Sequence, residues 1–218
     1  MKDYISVLRS VELFSGLDPG ELDSVLGCIG AVAKTVRKGS AILHAGDKPE
    51  QIGVVLRGQM RIVRDDYEGN RSLVAILSPG DIFAEALCCA DVDESPVTVL
   101  ADVDSRVLLL PFGRMLQVCS NSCSFHRELI KNILRLTAEK NLRMQKHMEI
   151  LSMKTIRARV VRYIESFSLK PGCEIVVPLN REELANYLCV ERSALSHELM
   201  KMKADGLIDY NKNRFILK

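Results

Sequence analysis

Arg192, Ser193, Ser196 and His197 share a stretch in which the apolar residues Leu195, Leu199 and Met202 recur at spacings of four and three. That repeat gathers the apolar side chains on one helical edge and leaves the polar ones, with Met200 at their margin, on the other. Guanidinium, hydroxyl and imidazole groups near a helix N-terminus are suited to hydrogen-bonding base edges in the major groove of DNA. Upstream, Asn180-Arg181-Glu182-Glu183 has the form of a capping box, opening an earlier helix with Leu184, Ala185 and Leu188 as its apolar stripe. Cys189-Val190-Glu191 leaves room only for a sharp turn, and Gly206 stands where a left-handed helix end belongs. Residues 207–210 and 214–217 alternate around Asn211-Lys212-Asn213, which predicts a hairpin wing. Residues 179–218 therefore predict a winged helix-turn-helix, with Arg181 and Lys212 as further DNA contacts.

Two other groups of residues carry chemistry. Cys88 and Cys89 are adjacent, and Cys119 and Cys123 are four apart with His126 one turn further on, which suits a shared helix face and invites a metal or redox reading. No CxxC occurs, so a four-ligand site would have to be assembled from separated segments, and reduced thiols are the plainer expectation. Seven cysteines at irregular spacings fit a reducing compartment better than a disulfide framework. Glu85, just after the corner Pro79-Gly80-Asp81, either binds a small molecule or ties the strand-rich segment around it to the long helix that follows.

The elements that must position these groups follow from pattern and punctuation. Residues 1–30 suggest one or two short helices, the second opened by Asp18-Pro19-Gly20-Glu21. From about residue 31 to 111, β-like runs at 54–56, 60–63, 73–77, 97–103 and 107–110 are separated by turn residues and punctuated by Gly39, Gly46, Gly53, Gly58, Gly69 and Gly80. Many short strands with glycine corners imply a barrel or roll, an architecture that commonly encloses a ligand cavity. A helical period then runs from about 122 to 152. Ile130, Leu134, Thr137, Asn141, Met144, Met148 and Leu151 alternate spacings of four and three, a coiled-coil seam that predicts a homodimer interface. Leu129, Ile133 and Leu136 form a second apolar edge that can pack on the roll. A further helix at 154–167 and a strand at 174–177 lead into the helix-turn-helix.

With 218 residues and 47% hydrophobic content, the chain can bury two cores. Residues 1–120 carry 12 Lys and Arg against 17 Asp and Glu, whereas residues 152–218 carry 12 against 8. The basic excess thus lies where phosphate attraction is needed, with Lys154, Arg157, Arg159, Arg162, Lys201, Lys203, Lys212 and Arg214 as candidates. No apolar run is long enough to span a bilayer, and Met1 to Ser10 includes Lys2, Asp3 and Arg9 rather than a signal core, so a cytoplasmic protein without membrane contact is expected. No Ser-His-Asp order, HExxH or GxxxxGK[ST] is present, and no enzymatic activity is expected.

This order of parts resembles the CRP/FNR superfamily of bacterial transcription regulators. The resemblance covers nearly the whole chain and rests on Leu13-Phe14-Ser15-Gly16-Leu17, Gly39, Gly46-Asp47, Gly58, Pro79-Gly80-Asp81-Ile82-Phe83 followed by Glu85, and residues 192–197. It implies an α+β chain with a cyclic-nucleotide-binding-type double-stranded β-roll (1–120, jelly-roll-like), a dimerisation helix (121–151) and a winged helix-turn-helix (152–218). It further implies a two-fold symmetric duplex, a second copy of the chain and RNA polymerase as partners, with a small-molecule effector at Glu85, Ala86, Ser95, Pro96, Val97 and Thr98. Cyclic-AMP-binding members hold the ribose with a glutamate, matched by Glu85, and the cyclic phosphate with an Arg-Ser pair, which here reads Ser95-Pro96. The cation is missing and Pro96 has no amide hydrogen, so cyclic AMP is not the expected effector. Oxygen-sensing members use an N-terminal cysteine cluster where this chain has only Cys28, and no haem axial-ligand pattern is evident. The alternative is a redox- or metal-responsive regulator of the same fold, sensing through Cys88, Cys89, Cys119 and Cys123. His197 stands where relatives usually carry arginine, so a changed operator sequence is expected.

Overall fold

A short helix α1 (Ile5–Ser10) and a 3-10 turn at Glu12–Phe14 precede α2 (Pro19–Ile29), whose limits follow from its end residues. The Asp18 carboxylate accepts from the amides of Gly20 and Glu21, each at 2.8 Å, while Glu21 reaches back to the Asp18 amide at 2.9 Å. Gly30 then leaves the helix with a left-handed φ of 67°. The structure is a computed structural model, and it describes residues 4–117, 124–167 and 172–218.

Eight strands follow: β1 (Val32–Val36), β2 (Ala41–Leu43), β3 (Gln51–Arg57), β4 (Met60–Asp65), β5 (Arg71–Leu77), β6 (Ile82–Phe83), β7 (Thr98–Ala101) and β8 (Ser105–Pro111), with the one-turn helix α3 (Glu85–Cys89) between β6 and β7. They pair antiparallel in two four-stranded sheets, ordered β1-β8-β3-β6 and β2-β7-β4-β5. Val36, Val55, Met60, Leu77, Phe83, Val99, Ala101 and Val107 form one core cluster of the roll. Gly53 is required in β3 because the Phe83 ring lies against its Cα, where a side chain would collide. The other face of the first sheet is covered by helices. Ile52, Val54, Leu108 and Leu110 share a core with Leu8, Phe14, Leu22, Leu26 and Ile29 and with Leu129 and Ile133. Burial on both faces explains why β3 reads as an unbroken apolar run rather than an alternation.

After α4 (Phe112–Leu116), α5 (Ser124–Leu151) runs as one long helix. Its Leu129, Ile133 and Leu136 edge is buried, as its sequence anticipates. Asn132 reinforces that edge, its side-chain amide donating to the carbonyls of Leu13 and Ser15 at 3.0 and 2.8 Å. Packing divides the chain into two compact units, residues 1–138 and 139–218, so the division falls inside α5.

The second unit contains α6 (Ile156–Glu165), β9 (Glu174–Val176), α7 (Arg181–Tyr187), α8 (Arg192–Ala204), β10 (Ile208–Asn211) and β11 (Arg214–Leu217). Helix α6 begins later than its sequence suggests because the Thr155 hydroxyl caps it, accepting from the Ala158 amide. The strands form one sheet in the order β10-β11-β9. Residues Asn211 and Arg214 pair directly, leaving Lys212 and Asn213 as the hairpin loop, with Lys212 at φ 54°.

Candidate nucleic-acid interface

Asn180 forms the capping box its sequence predicts, accepting from the amides of Glu182 and Glu183 while Glu183 returns to its own amide at 2.7 Å. Helix α7 ends at a turn in which Cys189 takes φ 51°, and α8 begins at Arg192. Leu195, Leu199 and Met202 of α8 are fully buried in one core with Leu184, Ala185, Leu188, Ile208 and Phe215. That anchoring fixes which side of α8 faces outward. Arg192, Ser193, His197 and Met200 are exposed, and Ser196 is half-buried with its hydroxyl donating to the Arg192 carbonyl at 2.9 Å. The four expected base-reading residues are thus brought to the N-terminal half of one helix.

Arg181 and Lys212 are placed differently. Arg181 is half-buried, its guanidinium over the rings of Tyr210 and Phe215 at 5.2 and 5.8 Å, and it donates to the Lys212 carbonyl at 3.2 Å. Burial lowers its pKa from the usual arginine value, although it stays protonated at any physiological pH. In this position it braces the wing turn. The Lys212 side chain is exposed.

Much of the basic excess of this unit is used internally. Arg157 bridges Glu198 and Asp205, both at 2.7 Å, and so holds both ends of the second half of α8. Arg162 pairs with Glu149 and Glu165, Lys203 with Asp209, and Arg214 with Glu174. Arg159 donates to the carbonyls of Met153 and Leu188. Of the basic residues expected at the phosphate backbone, the exposed Lys154, Lys201 and Lys212 remain for that contact, together with Arg192. Sequence alone did not single out His147, whose Nε2 lies 2.7 Å from the Tyr187 carbonyl.

In the roll, Glu85 is buried at the start of α3, following Ala84 in a left-handed conformation, and Ala86 is exposed. Ser95 is buried and fully engaged. Its hydroxyl donates to the Val97 carbonyl at 2.7 Å, its amide donates to the Asp47 carbonyl, and its carbonyl accepts from Gly46. Pro96 is exposed, Val97 is buried, and the Thr98 hydroxyl accepts from the Ala45 amide at 3.1 Å. A cavity of about 440 Å³ beside these residues is lined by Ile42, Leu43, Asp47, Phe83, Ala84 and Leu109 among others, and not by the six expected effector residues themselves. A larger cavity of about 770 Å³ is lined by Cys88, Cys89, Arg114, Ile130, Ile133 and Leu134 among others.

Neither Cys88 nor Cys89 is held toward its reactive thiolate form. Burial, with the nearby Cys89 and Glu85, pushes the Cys88 thiol up to about 12, and burial raises Cys89 as well. Cys88 donates to the Pro49 carbonyl. Cys119 and Cys123 lie outside the described residues, and among the described residues no cluster of His, Cys, Asp and Glu could hold a metal ion.

Comparison with known proteins agrees with both halves of this description. Residues 33–122 match the cyclic nucleotide-binding domain family, and residues 158–218 match the Crp-like helix-turn-helix domain family. The chain belongs to the CRP/FNR family. Among its relatives, the cyclic AMP receptor protein of Thermus thermophilus is 24% identical over 201 residues, spanning 92% of this chain and 89% of that protein. The transcriptional activator protein FnrL of Cereibacter sphaeroides is 21% identical over 201 residues, spanning 84% and 75%. The crystal structure of Thermus thermophilus catabolite activator protein shares the fold with a TM-score of 0.56 at 22% identity, over 95% of this chain and 93% of that one. Pseudomonas aeruginosa DNR does so with a TM-score of 0.52 at 19% identity, over 100% and 95%. As a CRP/FNR-family protein, the chain carries a cyclic-nucleotide-binding-like domain and a DNA-binding helix-turn-helix. The family comprises transcription regulators rather than enzymes, and no described helix is long and apolar enough to cross a membrane.

Proposed function

We propose that this protein is a homodimeric, sequence-specific DNA-binding regulator whose β-roll responds to a small-molecule effector other than cyclic AMP. The observation that carries the reading is the outward face of α8, where Arg192, Ser193 and His197 stand exposed on a helix anchored by three buried residues. Dimerisation is supported by α5, whose Leu134, Met144 and Met148 are 64%, 66% and 67% exposed in the single chain at coiled-coil spacing. Such a stripe is costly to leave in water and natural to bury against a second copy. Asn141, exposed in the same seam, favours a defined register in a two-stranded pair.

The effector reading rests on the region of Glu85 and Ser95. A cyclic phosphate needs a cation or free amides, but the Ser95 amide and hydroxyl are already bonded and Pro96 offers none. Glu85 is buried directly after Ala84, which lines the smaller cavity. The effector shifts the population toward the arrangement of paired α5 helices that sets the two α8 helices at half-site spacing. A gel-shift against fragments of the host genome, with and without small-molecule extract of that host, tests this. Saturable retention of discrete fragments, changed by the extract, is the expected result; uniform retention of all fragments contradicts it.

A further inference from the structure

The last carbonyls of a helix have no partner within it. At the end of α7 two of them are taken by side chains from other elements of the same unit. Nε2 of His147 lies 2.7 Å from the Tyr187 carbonyl, and Nη1 of Arg159 donates to the Leu188 carbonyl at 2.9 Å. A carbonyl only accepts, so Nε2 of His147 carries the proton. The imidazole also stacks on the Tyr187 ring, with centroids 4.1 Å apart and planes 20° from parallel. Tyr187 in turn packs against Tyr163 at 5.2 Å, and Tyr163 meets Phe167 edge-on at 5.2 Å.

The surrounding contacts extend the same connection. Ile150 of α5 is buried in one core with Leu184, Leu188 and Leu195, and Glu149 pairs with Arg162 at 2.9 Å. The final turns of α5, from Glu139 onward, thus belong to the DNA-reading unit. His147 sits one residue before Met148 and three after Met144, both members of the exposed seam.

We propose that His147 is a positioning residue for DNA recognition, fixing the helix-turn-helix to the last turns of α5 through its bond and stack at Tyr187. This rests on the dimeric-regulator reading. In a dimer, the paired α5 helices dictate the separation of the two α8 helices only if each helix-turn-helix is rigidly joined to its own α5. A loosened joint weakens binding to two half-sites at once, because the second engagement depends on geometry, but leaves binding to one half-site as it was.

The test uses the full-length protein, a two-fold symmetric duplex selected by the wild type from a random pool, and a duplex bearing one half-site. His147→Phe keeps an aromatic ring for the stack and removes the donor; His147→Gln restores a donor. The expected result for His147→Phe is a roughly five- to tenfold loss on the symmetric duplex, in line with one hydrogen bond, and half-site binding within about twofold of wild type. His147→Gln is expected to recover to within about threefold. Wild-type affinity of His147→Phe for the symmetric duplex overturns the proposal, as does an equal loss on both duplexes, which marks a general folding defect. Failure of the wild type to select any symmetric duplex overturns the regulator reading and the role of His147 with it; a wild type that selects such a duplex while His147→Phe binds it equally well overturns His147 alone.

Discussion

Replacing Met148 with lysine places a charge in the proposed seam of α5 without touching any of the three core clusters. Met148 is 67% exposed in the single chain, so about two thirds of its side chain is available for burial against a second copy. Full burial of such a side chain stabilises by about 1.5–3 kcal/mol, which scales to about 1–2 kcal/mol here, an upper estimate because the seam is not sealed from water at its rim. A two-fold dimer loses the contribution twice, about 2–4 kcal/mol, which weakens dimerisation roughly 30- to 1,000-fold. Sedimentation equilibrium across a concentration series reads this directly, and the melting curve of the monomer controls for folding. A Met148→Lys protein that dimerises like the wild type refutes the assignment of this stripe as the interface.

Four further outcomes follow from individual contacts. His197→Ala should cost about 1–3 kcal/mol of operator affinity at fixed salt and leave the melting temperature in place; unchanged binding removes His197 from the reading face. Arg181→Met should destabilise the second unit by about 1–3 kcal/mol in urea titrations, through the lost Lys212 carbonyl bond and the lost stacking on Tyr210 and Phe215. Because Cys88 is raised from 9.0 to about 12, its neutral form favours the folded state, so its stabilising effect is complete below pH 9 and is lost as pH climbs toward about 12. The accompanying result is slow alkylation of Cys88 at pH 8, with exposed Cys28, Cys173 and Cys189 labelled first in a peptide map; prompt labelling of Cys88 contradicts its burial. Gly53→Ala should destabilise the roll by about 1–3 kcal/mol or more through collision with Phe83, measured as a fall in Tm.

The parts of the chain that announce themselves locally were legible. The helix start signalled by Asp18-Pro19-Gly20-Glu21 and the capping box at Asn180 both form where the sequence places them, because their donors and acceptors lie within four residues of each other. The anchored edge of α8 and the hairpin around Lys212 are likewise set by short-range periodicity. Strands β1, β2 and β6 were harder to foresee as separate elements. β2 and β6 are only three and two residues long, and they exist because longer strands supply their partners. The roles of the basic residues could not be read from composition. Arg157 contacts Glu198 and Asp205, and Arg159 contacts Leu188, across separations that only folding closes. The same is true of Ser95, whose engagement with Gly46 and Asp47 depends on a distant turn. His147 carried no motif at all, and its position in a polar stretch of α5 gave no sign of the carbonyl it holds.

Selection of bound duplexes from a random pool by the full-length protein, followed by sequencing and by measurement of the protein-to-duplex ratio, tests the dimeric reading most directly. The expected result is convergence on an inverted repeat with half-sites about one helical turn apart, roughly 10 base pairs centre to centre, bound by two chains per duplex. A pool that stays random, or one that converges on an unrepeated site bound by a single chain, contradicts it.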